Sequence, residues 1–167
     1  MRPPSETAVP PVPIQEAVAE FFSALLGLGT AASKAERPRL EPDGSHIVGT
    51  YRDDLGQVAA LVTADLVLAA SAGAALAAIP PSAARDAVKT GALDENLLEN
   101  FREVSNVMSS LLNTPATPHL TLVDVWPSDH PDLPTEAWDV LANPTKRREY
   151  AVTIEGYDDG HLGIVIR

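Results

Sequence analysis

The stretch from Asp94 to Asn113 constrains the fold most, because it has helical periodicity and a stop signal at each end. Asp94 can cap the N-terminus by accepting from backbone N–H groups that otherwise lack partners. Leu93 and Leu98 are placed to staple over that cap. At the far end Asn113 suits the left-handed position after a helix, and Pro115 blocks continuation. Leu97, Phe101, Val104, Met108 and Leu111 recur at three- and four-residue steps and form one apolar stripe. Glu99, Glu103, Asn106, Ser110 and Asn113 form a second stripe, turned away from the first at about 100° per residue. Glu103 and Asn106 are three apart, which makes them surface neighbours with Cβ atoms roughly 5–6 Å apart.

The rest of the chain alternates helix and strand signals. Pro13 opens a first helix, with Ile14, Val18, Phe21 and Leu25 as its core stripe and Gly27 and Gly29 at its end. The polar, Pro-containing run from Thr30 to Ser45 reads as a loop. His46 to Thr63 reads as a β-hairpin turning at Asp53, Asp54 and Gly56. An Ala-rich helix follows from a cap at Asp65 to Ile79, stopped by Pro80 and Pro81. Ser82 to Val88 suits a short helix, His119 to Trp126 a strand, and Thr135 to Leu141 one or two helical turns. Tyr150 to Arg167 reads as a second hairpin, turning at Asp158, Asp159 and Gly160. Residues 1–13 are Pro-rich and read as a disordered tail or an extended lead-in, leaving residues 14–167 as a single domain.

An internal echo joins the two halves. Ile14, Val18, Phe21 and Leu25 have the same spacing as Leu97, Phe101, Val104 and Met108. Under that alignment Glu16 matches Glu99, Glu20 matches Glu103 and Ser23 matches Asn106. Each helix is followed later by a hairpin with an Asp-Asp turn, so the pattern reads as a duplicated helix-plus-hairpin unit.

Composition narrows the function. The 167 residues suffice for one core. A net charge of −11 argues against nucleic acid or an anionic membrane as partner, since both demand a basic face. There is no cysteine, hence no thiolate chemistry, which fits a reducing, cytoplasmic setting. Ala59 to Ile79 approaches bilayer length with Asp65 as its single charge, but alanine is weakly apolar and no basic cluster flanks the run. It reads as strand then helix.

Candidate chemistry is sparse. His46, His119, His130 and His161 are scattered, none at metal-ligand spacing with another. Asp129, His130 and Asp132 share one loop and read as solvated. No Gly-rich phosphate loop, nucleophile elbow or dinucleotide fingerprint is present. Lys146, Arg147 and Arg148 stand just before a strand, as a solvated strand entry or a contact for an acidic partner.

Glu103-x-x-Asn106 remains. Two polar residues on a helix are by default a solvated face. Here, however, the chain resembles the chemotaxis phosphatase family of CheC, CheX and FliY type, which shares a helix carrying Glu-x-x-Asn preceded by a strand and an Ala-rich helix. The match runs through Gln57–Ile79 and Asp94–Asn113, with Val104 and Val107 flanking the pair. The resemblance implies an α/β domain of α+β kind, with an antiparallel-rich sheet and two long helices. It also implies hydrolysis of the aspartyl phosphate of a CheY-like response regulator. Asn106 would orient the attacking water, and Glu103 would pair with the regulator's lysine. The Mg²⁺ would be the regulator's, with no cofactor of this chain's own, and a homodimer is implied through CheX-like members.

This chain departs from the family in having Glu99 where Ser or Asp is common, and Ser109 and Ser110 where a Gly is common. Ser23 lacks the amide, so the resemblance implies one competent site per chain. Two other readings stand beside the enzyme. One is a non-catalytic module of the same fold that recognises a receiver or flagellar motor protein. The other is a domain in which the pair is merely solvated.

Overall fold

A computed structural model describes residues 9–167. The central stretch forms the longest helix, α4. Together with the helices that precede it, it covers one face of a six-stranded sheet. In chain order the elements are α1 (Gln15–Leu26), β1 (Thr30–Lys34), β2 (His46–Arg52), β3 (Val58–Asp65), α2 (Leu66–Leu76), α3 (Pro81–Thr90), α4 (Glu95–Leu112), β4 (Thr121–Pro127), α5 (Thr135–Ala142), β5 (Lys146–Ile154) and β6 (Gly160–Ile166).

The sheet runs β1-β5-β6-β3-β2-β4 with every neighbour antiparallel. Exchanging β1 with β4, β2 with β5 and β3 with β6 turns this order into its own reverse. The duplication read from helix spacing is therefore a two-fold relation in the sheet. Its units are α1-β1-β2-β3 and α4-β4-β5-β6.

The main core lies between the sheet and α1, α2 and α4. It includes Phe22, Tyr51, Val62, Leu68, Phe101, Val104, Met108, Tyr150 and Ile164. A second cluster on the other face packs Ala137, Val140 and Leu141 of α5 against Val48, Leu61 and Val165. Helix α2 is alanine-rich because it is enclosed on several sides, with Leu68 to Ala75 all buried. Asp65 caps it by accepting from Leu68 N at 2.8 Å. Among the described residues, no helix is long and apolar enough to cross a membrane.

Several expectations are corrected. Thr30 to Ser45 was expected as loop, yet Thr30–Lys34 is an edge strand in register with Tyr150–Ile154. Its small, mostly polar residues show no alternation, because its hydrogen bonds come from a strand distant in sequence. In α1 the fully buried pair is Val18 and Phe22, whereas Ile14 is 59% exposed. Ile14 is the extended residue before the helix, so helical spacing does not govern it, and Pro13 lies one residue further out. In α4 the last core residue is Leu112, with Leu111 half-buried.

Asn113 is extended rather than left-handed. Its amide donates to Leu120 O at 3.0 Å and accepts from Leu120 N at 2.7 Å, clamping α4 to the approach of β4. The basic run begins β5 itself, with Lys146 paired to Ile166. Of the expected tail, residues 1–8 lie outside the described residues. Residues 9–13 run without regular structure, and Pro13 is buried, its carbonyl accepting from Arg148 and Tyr150.

Candidate functional site

Four contacts start α4 and fix its rotation. Asp94 accepts from Leu97 N at 2.8 Å and starts the helix. Gly73 of α2 lies against its first half: a Cβ there would fall 2.8 Å from the Leu97 carbonyl oxygen. Asn100 then donates to the Gly73 carbonyl at 3.0 Å, a bond that needs this close approach. One turn on, the Tyr51 hydroxyl reaches from β2 to the Ser105 carbonyl. Val104, Ser105 and Met108 are thereby held inward, with relative exposures of zero.

The helical period then turns Glu103 and Asn106 outward, and both are exposed. They share the wall of one groove of about 230 Å³. Glu99 and Arg102 complete its helical side, and Leu122 of β4 closes the other. Leu122 gets there through an irregularity. Thr50 pairs with Asp124 and Tyr51 with Leu122, which leaves Val123 as an extra residue in β4. Such a bulge re-aims the side chains beside it.

The charges are arranged unequally. Arg102 Nε lies 3.0 Å from Asp124 Oδ1 and its Nη1 3.9 Å from Glu99 Oε1, so this cation is drawn along the helix and toward β4. Among the described residues Glu103 makes no salt bridge, so its carboxylate is open to a cation from outside. Of the two flanking valines, Val104 is buried and Val107 is 37% exposed beside the pair. The Glu103–Asn106 groove thus joins an acidic group and a primary amide to the apolar side chain of Leu122. The amide oxygen can accept from a water and its N–H groups can donate to a water or an oxyanion, without titrating near neutrality.

The duplicate positions differ. Glu20 is exposed, but Ser23 Oγ accepts from Thr30 N at 3.1 Å, so the hydroxyl is engaged by its own chain. The structure brings Glu103 and Asn106 together and adds Arg102 and Leu122, which sequence reasoning missed. Arg102 had a local signal as the neighbour of Glu103. Leu122 had none, because its place depends on a bulge. Among the described residues, no group of three or more His, Asp or Glu side chains is arranged to hold a metal ion. His130 and Asp132 are exposed, and His130 Nδ1 accepts from Asp132 N at 3.0 Å.

This architecture defines the class: a CheC/CheX/FliY-type fold. Three solved structures carry that likeness. FliY from Thermotoga maritima aligns at TM-score 0.54 and 17% identity, covering 91% of this chain and 88% of that one. The CheX-CheY-BeF3-Mg²⁺ complex from Borrelia burgdorferi gives TM-score 0.54 and 9% identity, over 91% of this chain and 94% of that one. The FliM middle domain from H. pylori gives TM-score 0.51 and 9% identity, over 91% and 84%. No protein-family model matches the chain, and no curated protein does. At these identities the likeness is one of fold.

Proposed function

We propose that this protein hydrolyses the aspartyl phosphate of a CheY-like response regulator, using Asn106 and Glu103 in the cytoplasm where such regulators work. The observation that carries the reading is the joint exposure of these two side chains in one groove, on a helix pinned from behind by Tyr51 and by Gly73, whose carbonyl accepts from Asn100. Support of a second kind comes from a neighbour of the same fold whose structure contains CheY, BeF3 and Mg²⁺.

In the reaction, Asn106 holds a water through its amide, in line with the phosphorus. The water oxygen forms a bond to phosphorus as the bond to the aspartyl oxygen breaks. The products are a free aspartate and inorganic phosphate, and the water's protons pass to phosphate and solvent. Positioning supplies most of the effect, because phosphoryl transfer asks little covalent chemistry of the protein. Glu103 pairs with a lysine of the regulator and sets the approach. The divalent ion belongs to the regulator, where it neutralises charge on the phosphoryl oxygens.

The test is the decay of a phosphorylated receiver, alone, with the protein, and with Asn106→Ala. Acceleration by the wild type that Asn106→Ala loses supports the reading; equal acceleration by both removes Asn106 from it. A homodimer belongs to the same reading and is tested by sedimentation, with a mass near twice 17.7 kDa as the expected outcome.

The exposed Val107 beside the pair favours a second reading, in which the same face binds a receiver or a motor protein without hydrolysis. The FliM middle domain shares the fold. Tight binding with an unchanged phosphate lifetime is the result that selects it.

A further inference from the structure

The chain has twelve lysines and arginines against twenty-three acidic residues, and four of the twelve converge on one pocket. The pocket, about 650 Å³, shares no residue with the groove of Glu103 and Asn106. Lys34 comes from the end of β1, Arg37 from the segment after it, and Arg147 and Arg148 from the start of β5. The first turn of α1, from Ile14 to Glu16, forms another side. No side chain caps that helix start; Ala17 N and Val18 N donate to the Ile14 carbonyl, which leaves the N–H groups of Gln15 and Glu16 without a cap.

A second observation is independent of the helix. The Arg147 side chain is only 10% exposed. Its Nε donates to Glu149, and its Nη2 is buried with no acceptor among the described residues. An unmet buried guanidinium donor is costly, and Arg147 is one of the residues that line this pocket. Arg148 Nη1 donates to Pro13 O at 3.0 Å and Arg37 Nη2 to Leu141 O at 3.4 Å. Each leaves further donors on its fork.

Two carboxylates also line the pocket. Glu149 is 6% exposed, with Oε1 on Arg147 and Oε2, 3.2 Å from His161 Nε2, buried without a hydrogen bond among the described residues, while Glu16 is exposed. Four cations against two carboxylates leave an excess of two positive charges.

We infer that this pocket binds a soluble phosphomonoester. A dianionic phosphoryl head matches the charge excess. Its three terminal oxygens use more of the guanidinium, ammonium and helix donors than the two oxygens of a carboxylate. The volume lies in the range of small-molecule sites, roughly 300–1,000 Å³, so it holds an organic body as well as the head. Ile14, 59% exposed, offers that body an apolar wall.

The experiment titrates the full chain, ¹⁵N-labelled, with glycerol 3-phosphate, inorganic phosphate and acetate while following backbone amides. Saturable shifts at Gln15, Glu16, Ala35 and Arg148 are expected with glycerol 3-phosphate, weaker ones with phosphate, and none that saturate with acetate. The double variant Lys34→Ala/Arg37→Ala, altered on the exposed rim, is expected to weaken glycerol 3-phosphate binding at least tenfold. Lys89→Ala, outside the pocket, is expected to leave it unchanged. Shifts that never saturate, or equal weakening by Lys89→Ala, would overturn the inference, as would undiminished binding in the double variant. If the double variant fails to fold, Arg37→Ala alone carries the same test.

Discussion

The Tyr51 hydroxyl donates to the Ser105 carbonyl within the core, one residue before Asn106. Tyr51 is fully buried, and burial pushes its phenol far above the ordinary tyrosine range, so it remains a donor at every ordinary pH. The bond ties the centre of the sheet to the buried side of α4 and so sets where the opposite side points. Tyr51→Phe should cost about 1 kcal/mol in urea unfolding, the usual net worth of one hydrogen bond. It should also slow receiver dephosphorylation, because the helix loses a rotational anchor. Unchanged stability and rate would show that the bond anchors nothing.

Gly73 sets two known effects against each other. Alanine is favoured over glycine within a helix by about 1 kcal/mol. Yet the added Cβ would fall 2.8 Å from the Leu97 carbonyl, a backbone atom that cannot swing away. Overpacking of this kind typically costs 1–3 kcal/mol, so Gly73→Ala should destabilise on balance. A rise in the unfolding midpoint would contradict the close packing of α2 on α4.

His46 is buried on β2, and that burial holds its imidazole below the ordinary range. The charge of His161 works in the same direction, while Asp65, Asp43 and Glu149 oppose it. The unfolded chain therefore takes up this proton first. The stabilisation is complete above about pH 6.5 and declines as pH falls through that value. His46→Asn should flatten the fall in stability as pH drops below about 6.5, read by urea unfolding at each pH. An identical slope in the variant would remove His46 as its source.

Neither proposed role at the groove calls for a proton switch, since the amide of Asn106 does not titrate and Glu103 acts as an anion. Receiver dephosphorylation should vary little with pH around neutrality. A sharp bell-shaped profile would point to a general acid or base instead.

Much of this was legible because the signals were local. Asp94 and Asp65 cap the helices their positions announced, and Asp53 accepts from Leu55 and Gln57 in the first hairpin turn. The outward placement of Glu103 and Asn106 followed from period alone. What stayed hidden was decided at long range. Thr30–Lys34 is a strand only because β5 offers it an edge, and Leu122 joins the groove only through the bulge at Val123. Asn113 looked like a left-handed cap, but a bidentate bond to Leu120 prevailed over that preference. The basic run gave no hint of the pocket, because Lys34, Arg37 and the start of α1 meet it only in the folded chain.

The most direct test separates turnover from recognition. Single-turnover decay of a phosphorylated receiver is measured across a range of protein concentrations for wild type, Asn106→Ala and Glu103→Ala. Asn106→Ala should lose on the order of 10²-fold in the rate at saturation while half-saturation hardly moves. Glu103→Ala should chiefly raise the concentration needed for half-saturation. A saturating rate for Asn106→Ala equal to that of the wild type would contradict the account.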